Sequence, residues 1–162
     1  MTTVTFPDGT ILRFEKHALI KMLSFAQTNK VDKEAGGILL GKQVQNRNEY
    51  IISDVSVPNN KDIRRRFSFV RNKDAAQCII NRWWWETKGV VNYLGEWHTH
   101  PELCPVPSQV DRTLIKQVID DHSNVFTRLF LIIVGTNHTL YIGLADSSIS
   151  NAIIYSQYIG EK

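Results

Sequence analysis

Segments with the spacing of strands alternate along this 162-residue chain with segments that have the spacing of helices. The runs RLFLIIVG and TLYIGLAD predict two strands joined across residues 136–138, whereas KHALIKMLSFAQTN has apolar residues at helical intervals. Strands interleaved in this way with about three helices predict a single α/β or α+β domain over residues 1–162. A hydrophobic content of 43% over that length is enough to bury one core.

Five further segments have the alternation or the turn residues of strands: VTFPDGTILRF, GGILLGKQV, YIISDVSV, RRFSFVRN and VVNYLGEWHTH. The first contains Pro-Asp-Gly with a φ > 0 position available at Gly9, which predicts a hairpin, and the second and third are predicted to pair. Helical spacing returns from Lys73 to Lys88 with Gly89 as the predicted C′ residue, and another helix is predicted to begin near Ser108. The segment NAIIYSQYI predicts a last strand or a packed tail.

Charge and composition exclude several classes of protein. The net charge of +3 is well short of the lysine and arginine excess of a nucleic-acid-binding protein, so no nucleic-acid partner is predicted. The start MTTVTFPDGT lacks the features of a signal peptide, and no apolar run approaches the roughly 18 residues needed to span a bilayer. We therefore predict a cytoplasmic protein with no membrane partner. With only Cys78 and Cys104 present, a disulfide framework is not expected in a reducing compartment.

The stretch GEWHTHPELCPVPSQVD, residues 95–111, has the donors of a metal site. In an extended strand His98 and His100 project to the same side, about 6.5–7 Å apart along the chain, so both imidazoles can close on one ion. A hydrolytic zinc site needs three nitrogen or oxygen ligands and an open position for water, and Asp111 is the natural third ligand if the proline-containing loop folds back. Ser108 lies one helical turn before Asp111, where its hydroxyl would stand beside a developing oxyanion.

The same stretch also has interpretations without a metal. Ser-x-x-Asp after a proline is the pattern of a capping box at a helix start, a role that can coexist with metal binding. A lone His-x-His in a strand is more often ordinary surface than a ligand pair. What favours a metal site is the combination of His-x-His-Pro and Ser-x-x-Asp with the upstream strand segment EAGGILLG.

This combination resembles the JAMM metalloprotease motif of JAB/MPN domains. Glu34 in EAGGILLG matches the upstream acid of that motif, HTHP matches its His-x-His-Pro, and Ser108 and Asp111 match its serine and aspartate. The resemblance covers roughly Glu15 to Ile142. It implies an α/β fold of the cytidine-deaminase-like type, with a curved mixed β-sheet flanked by helices. It also implies a Zn²⁺-dependent protease or isopeptidase that uses the three ligands named above.

A narrower resemblance is carried by YLGEWHTHPE and PVPSQVDR, preceded by a tryptophan-rich helix and an arginine-rich segment before FSFVR. These features are similar to bacterial JAB proteases encoded beside cGAS-like nucleotidyltransferases (CD-NTases) in CBASS anti-phage operons. The resemblance implies a deubiquitinase-like eraser. An E1–E2-like enzyme joins the C-terminal tail of the nucleotidyltransferase to target amines, and the protease cuts just after that C-terminus. The alternatives are a JAB protease for another ubiquitin-like or sulfur-carrier protein, and a non-catalytic MPN scaffold.

Two other classes fit the residues less well. A metal-free MPN scaffold predicts replacement of the serine or of at least one of His98, His100 and Asp111, and none is replaced. A zinc nucleobase deaminase takes one histidine and two cysteines from His-x-Glu and Pro-Cys-x-x-Cys signatures. Here Thr99 and His100 follow His98, and Cys104 has no partner at that spacing.

The resemblance implies that Glu34 is the general base, which takes a proton from water and later passes it to the leaving amine. Glu96 competes for this role on spacing alone, because it should face the same side of its strand as both histidines; the alternative is that it orients or tunes them. Cys104 lies in the loop before Asp111, where its thiolate would block the open position of the metal or remain a bystander. The substrate tail is expected to lie extended along a sheet edge.

Two further motifs have no fixed role. On a helix, the rings of Trp83–Trp85 sweep about 200° around the axis, so at least one is predicted at an edge of the core. An exposed ring of this kind is typical of a partner-binding rim as well as of ordinary surface. The segment KDIRRR is predicted as a solvated turn, with docking to an acidic patch on a protein substrate as the alternative.

Overall fold

The computed structural model describes residues 1–122, 127–150 and 152–160, over which the chain forms ten strands and three helices. In chain order these are β1 (Thr2–Thr5), β2 (Ile11–Phe14), α1 (Lys16–Leu23), β3 (Gly36–Gln43), β4 (Glu49–Val55), β5 (Ile63–Arg65), β6 (Ser68–Val70), α2 (Lys73–Glu86), β7 (Asn92–Thr99), α3 (Gln109–His122), β8 (Arg128–Val134), β9 (Leu140–Asp146) and β10 (Ile153–Ile159). No helix in these described ranges is long and apolar enough to cross a membrane.

Eight of the strands form one mixed sheet in the order β1-β2-β4-β3-β7-β8-β9-β10. The β2–β4 and β7–β8 pairs are parallel, and the other neighbours are antiparallel. The sheet curves so strongly that the guanidinium of Arg128 on β8 lies 3.2 Å from the carboxylate of Asp8, in the turn between β1 and β2. The predicted α/β fold with a curved mixed sheet flanked by helices is confirmed.

The two faces of the sheet have separate hydrophobic cores. Helix α1 packs on one face through Ala18 and Met22, which lie four residues apart on one side of the helix. Helices α2 and α3 cover the other face, with Ala76 on α2 and Ile115 and Ile119 on α3. Each fully buried isoleucine stabilises the fold by about 1.5–3 kcal/mol. The sheet is therefore packed between α1 on one face and α2 and α3 on the other, and this packing holds the strand residues of the α2–α3 face in place.

The strands agree with most of the sequence predictions. The predicted hairpin is confirmed, since β1 and β2 pair around a turn in which Gly9 has φ 83°. The predicted pairing of GGILLGKQV with YIISDVSV is confirmed as β3 with β4. The segment RRFSFVRN contributes the predicted strand, β6, but it also contains the end of β5 and turns back on itself as a separate hairpin. The last segment forms β10, and Asn151 at its start lies outside the described residues.

Helix α2 ends in a Schellman motif one residue earlier than predicted. The N–H groups of Lys88 and Gly89 donate to the carbonyl oxygens of Trp85 and Trp84 at 3.2 and 2.7 Å. Because Thr87 is the C-cap, Lys88 with φ 54° occupies the C′ position that was predicted for Gly89. Gly89 follows with φ 79°, so two successive left-handed residues turn the chain towards β7.

Candidate metal centre

Strand β7 carries the two candidate histidines, and a bulge in it determines which way its side chains point. Leu39 and Leu40 on β3 pair with Gly95 and Tyr93, so Leu94 is the extra residue of a bulge. Gly95 has φ 136°, and a Cβ on it would lie 1.9 Å from a carbonyl oxygen of β8. Only glycine fits this position without displacing the neighbouring strand.

Beyond the bulge the side chains alternate regularly. Trp97 points into the core on the α1 face, whereas Glu96 and His98 point into a cleft on the opposite face. His100 follows β7 directly and faces the same side as His98, as the two-residue spacing predicts. Both imidazoles are buried, with exposed fractions of 8% and 7%.

Three candidate ligand groups converge on this face. The Nε2 atoms of His98 and His100 lie 3.0 Å apart, and Asp111 places Oδ1 at 3.2 Å from the first and Oδ2 at 3.4 Å from the second. A tetrahedral ion with donors at about 2.0–2.1 Å would hold each pair of donors about 3.3 Å apart. Two ring nitrogens that face each other as acceptors repel unless a proton or a cation lies between them. The residues present therefore fit a metal ion held by two imidazoles and a carboxylate.

Helix α3 begins at the same place, and Asp111 also caps it. The N–H of Ser108 donates to Asp111 Oδ2 at 2.6 Å, and the N–H of Asp111 donates to Ser108 Oγ at 3.2 Å. This reciprocal pair is a capping box, so the capping geometry and the ligand geometry of Ser-x-x-Asp coexist. Burial would raise the pKa of Asp111, but hydrogen bonds from His100, His98 and Ser108 outweigh it and hold the pKa well below its usual value.

The two ring nitrogens of His100 have different surroundings. Burial lowers the pKa of His100, but the hydrogen bond and the charge of Asp111 outweigh burial and raise the pKa above its usual value. The Nδ1 atom is buried and has no hydrogen-bond partner among the described residues. Beyond it, Glu102 places Oε2 at 3.9 Å. This carboxylate is close enough to orient the imidazole by its charge when Nε2 serves as a metal ligand.

Glu34 reaches the same cleft from a separate segment. It lies just before β3 rather than in the strand, where the sequence had placed it. Its N–H donates to the carbonyl oxygen of Arg65 at 2.8 Å, and its carbonyl oxygen accepts from Arg64 Nε at 2.8 Å. The side chain lines the cleft beside the three candidate ligands, and the residue is 6% exposed. Burial raises the pKa of Glu34 to about 7.

Glu96 shares the face of His98, as predicted, but its carboxylate is engaged elsewhere. Arg71 donates to it twice, from Nε to Oε2 at 3.0 Å and from Nη2 to Oε1 at 2.7 Å. The Tyr93 hydroxyl also donates to Oε1, at 2.8 Å, because the bulge brings residues three positions apart to one face. Charge-assisted hydrogen bonds to both oxygens make Glu96 an ion-pair partner of the chain segment after β6 rather than a free base.

The candidate ligands and Glu34 line a cleft of about 720 Å³ between the β5–β6 hairpin and the start of α3. A volume of this size is typical of binding sites. The walls are largely apolar, with exposed Phe67 and Val70 on the hairpin and Val110 on α3. Strand β6 lines the cleft and pairs, within the described part of the chain, only with β5. Its second edge is therefore open to another extended segment.

Comparison with known proteins identifies the family. Residues 16–143 match the family described as prokaryotic homologs of the JAB domain. The chain belongs to the JAB family. A Pseudomonas aeruginosa protein named CD-NTase/cGAS isopeptidase is 35% identical over 141 residues, with 87% of each chain covered. A Vibrio cholerae protein of the same name is 34% identical over 121 residues, which cover 74% of this chain and 72% of the relative.

A solved structure supports the fold of this JAB domain. The solution structure of a Desulfitobacterium hafniense protein matches it with a TM-score of 0.54 at 18% identity, covering 83% of this chain and 88% of that one. At this identity the match shows the fold alone. The resemblance to JAB domains, and within them to the nucleotidyltransferase-associated group, is confirmed by the family match and the two relatives.

Cys104 of the JAB domain is exposed and is not part of the cleft lining in the described structure. The loop around it is held by the hydroxyl of Tyr158, which donates to the carbonyl oxygen of Pro105 at 3.2 Å. We therefore expect Cys104→Ser to leave turnover unchanged in steady-state assays under reducing conditions. A rise in basal activity would instead support a thiolate that blocks the metal.

The segment KDIRRR was predicted as a solvated turn, but its residues Ile63–Arg65 form strand β5 and its arginines bind backbone groups. Arg64 donates to the carbonyl oxygens of Glu34 and Lys33 at 2.8 and 3.1 Å, and Arg66 donates to the carbonyl oxygen of Lys30. These guanidinium groups clamp the segment that leads to β3. Because the acceptors are backbone groups, no side-chain pattern in the sequence indicated this role.

Four polar residues that shape the site were missed by sequence reasoning. Arg71 and Tyr93 bind Glu96, while Gln27 and Thr99 are buried behind the cleft. No sequence motif indicated a role for Arg71, Tyr93 or Gln27. Thr99 had one signal, its place between two candidate ligands on the opposite side of the strand.

The three tryptophans of helix α2 divide between core and surface, as their helical spacing predicts. Trp83 packs against the core on the α2–α3 face, whereas Trp84 and Trp85 are 44% and 75% exposed. The two exposed rings meet edge to face with their centroids 5.5 Å apart. A partner-binding role for this exposed pair stays a prediction.

Proposed function

We propose that this JAB domain is a Zn²⁺-dependent isopeptidase that cleaves just after the C-terminus of a conjugated protein. The observation that carries the proposal is the convergence of two buried imidazoles and a carboxylate beside the buried Glu34 in one cleft. Membership of the JAB family and relatives named isopeptidases make the chain a peptidase. The ion, the substrate and the role of each residue are the parts that we infer.

The ion would be held by His98, His100 and Asp111. Zn²⁺ accepts nitrogen and oxygen donors in tetrahedral sets, and three protein ligands leave one position for catalysis. When bound there, Zn²⁺ supplies Lewis acidity to water and to the scissile carbonyl group.

Glu34 is the proposed general base and general acid. Its carboxylate faces the cleft from outside the ligand set, and burial raises its pKa to about 7, where a group both accepts and returns protons effectively. Glu34 takes a proton from the attacking water and passes it to the leaving amine, so no covalent intermediate is needed. Glu96 is unsuited to this task because Arg71 and Tyr93 occupy both of its oxygens.

Ser108 is the proposed donor to the oxyanion. Its Oγ accepts from the N–H of Asp111 at 3.2 Å, which leaves its own O–H available to donate into the cleft. The capping box fixes this hydroxyl before the substrate arrives. A donor that is preorganised towards developing charge stabilises the transition state, and the loss of one such donor typically lowers the rate by about 10²–10³-fold.

The tail of the substrate is proposed to run through the cleft in an extended conformation. An isopeptide bond next to a folded protein must be drawn away from that protein to reach the ligand histidines. The open edge of β6 offers backbone N–H and C=O groups at the spacing of an added strand. Phe67, Val70 and Val110 would cover apolar side chains of such a tail.

The proposed substrate is a cGAS-like nucleotidyltransferase (CD-NTase) that an E1–E2-like enzyme has joined to its targets in the cytoplasm. This choice rests on the two relatives named CD-NTase/cGAS isopeptidase, each of which matches most of the chain. In this role residues 1–162 act as one domain that erases conjugates during anti-phage defence. No nucleic acid or membrane takes part.

The proposal is tested by incubating the zinc-loaded protein with a nucleotidyltransferase conjugate made by an E1–E2-like enzyme. We expect release of the nucleotidyltransferase with its native C-terminus, identified by intact-mass spectrometry, and no release by the Asp111→Ala variant. Fusions of another ubiquitin-like protein and of a sulfur-carrier protein are assayed in parallel. Faster cleavage of either fusion would reassign the substrate. Failure to cleave all three would favour a scaffold and overturn the proposal.

A further inference from the structure

Gln27 and Thr99 form a buried polar contact beside the metal centre, and the proposed chemistry does not use it. Gln27 is 2% exposed and Thr99 is fully buried. The Thr99 hydroxyl donates to Gln27 Oε1 at 3.0 Å and accepts from the N–H of Ala35 at 3.0 Å. Buried polar groups are costly unless their hydrogen bonds are complete, so a contact of this kind is expected to fix the segments that it joins.

The side-chain amide of Gln27 is satisfied by three different parts of the chain. Its Nε2 donates to the carbonyl oxygens of Asp32 and Arg66 at 3.2 and 2.9 Å, and its Oε1 accepts from Thr99. Because carbonyl oxygens can only accept, the amide has a single orientation. An apolar side chain of similar length would leave two carbonyl groups and a hydroxyl without these partners.

Thr99 joins the backbone that carries the proposed base to the backbone that carries the ligands. It lies between His98 and His100, and its side chain points away from theirs because neighbouring strand residues face opposite sides. Its own N–H donates to the carbonyl oxygen of Ala35 at 2.8 Å, so both backbone groups of Ala35 are bound to Thr99. Ala35 directly follows Glu34.

The β5–β6 hairpin completes the arrangement. The N–H of Glu34 donates to the carbonyl oxygen of Arg65 at 2.8 Å, so the base segment, Glu34 and Ala35, is bound to the hairpin. Gln27 binds the next carbonyl, that of Arg66, and also binds Thr99 on the ligand strand. Hydrogen bonds therefore join each of these three segments to the other two: the base segment, strand β7 and the β5–β6 hairpin. Gln27 supplies the contact between β7 and the hairpin.

We infer that Gln27 and Thr99 are positioning residues that fix the carboxylate of Glu34 relative to His98 and His100. The inference rests on the proposed function, in which Glu34 moves a proton at this site. Neither residue lines the cleft, so both act by preventing a shift of the base segment against β7. A displacement of about 1 Å near a reacting group lowers the rate by about 10²-fold, so a small shift here has a large effect on turnover.

Gln27→Met and Thr99→Val remove these hydrogen bonds with little change in side-chain volume. We expect each to lower kcat by about 10- to 100-fold with KM within about twofold of the wild type, at equal zinc content. Thr99→Ser keeps the hydroxyl and is expected to recover most of the turnover. Thr10→Val is the matched control, because Thr10 is another fully buried threonine outside the cleft. Its hydroxyl donates to Asp8 and accepts from Asn48 and Arg128.

The control separates positioning from a loss of stability. Thr10→Val is expected to lower the unfolding temperature without changing kcat per folded molecule. If Gln27→Met and Thr99→Val behave in the same way, with kcat unchanged, the inference is overturned. If Thr99→Val loses its metal, the kcat of Gln27→Met alone tests the positioning role. If Gln27→Met does not fold, the comparison of Thr99→Val with Thr99→Ser tests it.

A double-mutant cycle with Glu34→Gln tests whether the effect passes through the base. We expect Gln27→Met to lower the residual turnover of Glu34→Gln by less than about threefold, because the base is already absent. Fully additive losses would overturn the inference. Full turnover by Glu34→Gln alone would reject the base role and the positioning role together. An impaired Glu34→Gln beside an unimpaired Gln27→Met would reject the positioning role only.

Discussion

Glu34→Gln is expected to lower the turnover of the zinc-loaded protein by about 10²–10⁴-fold, the usual contribution of a general base. The substitution preserves the shape of the side chain, but a glutamine amide does not take a proton from water. The backbone groups of Glu34 remain bound to Arg64 and Arg65, so the segment should keep its place. Zinc content and substrate affinity are therefore expected to stay close to those of the wild type.

Glu96→Gln is the matched control, because it is the same substitution on the face that carries the ligand histidines. Arg71 Nη2 and Tyr93 both donate to Glu96 Oε1, so a glutamine amide oxygen at that position can still accept from both, and the hydrogen bond from Arg71 Nε to Oε2 is the one lost. The contact between Glu96 and Arg71 in the wall of the cleft would weaken, but the proposed proton transfer does not depend on it. We therefore expect this variant to retain appreciable turnover.

Single-turnover assays of both variants at equal zinc content measure the ranking without interference from product release. Elemental analysis of the same samples establishes that each is loaded. If Glu96→Gln loses more turnover than Glu34→Gln, the roles of the two acids have to be exchanged. Near-wild-type turnover of both variants would exclude a carboxylate base on either segment.

The positions of the candidate ligands were predictable because they depend on local periodicity. Alternation along a strand places His98 and His100 on one side, and the capping pattern places Ser108 and Asp111 at a helix start. Both are short-range rules, and the structure agrees with each in geometry. Only the return of the proline-containing loop, which brings Asp111 to the histidines, was non-local, and there the family resemblance supplied the missing information.

The features that were not predicted depend on contacts between distant segments. Gln27 binds partners 39 and 72 positions away, and Arg71 binds Glu96 from 25 positions away. Gly95 is required at its bulge because a carbonyl oxygen of β8 occupies the space of a Cβ. Spacing along the sequence contains no information about such neighbours. The same reason explains why Glu34 was placed in a strand, although the structure begins β3 at Gly36.

Removal of a proposed metal ligand is expected to abolish both zinc binding and cleavage. We expect one Zn²⁺ per chain in the wild type and a strongly lowered occupancy in His98→Ala and in Asp111→Ala, because each change leaves only two of three donors. Treatment with a chelator should likewise remove activity, and added Zn²⁺ should restore it. Elemental analysis of the purified variants measures the zinc content, and conjugate-cleavage assays of the same samples measure the activity.

One control separates the proposed ligand role of Asp111 from its capping role, and a second control tests the loss of a histidine away from the cleft. Asp111→Ala breaks the capping box as well as the ligand set, and loss of a cap costs about 0.5–2 kcal/mol of stability. Ser108→Ala removes the cap acceptor but keeps all three ligands, so it should retain its zinc while turnover falls by about 10²–10³-fold. His17→Ala removes an exposed imidazole near Asp54 and should change neither zinc content nor cleavage. A fully active wild-type protein that contains no zinc would contradict the metal hypothesis. Full zinc occupancy in His98→Ala would mean that the ion is held by a different set of ligands.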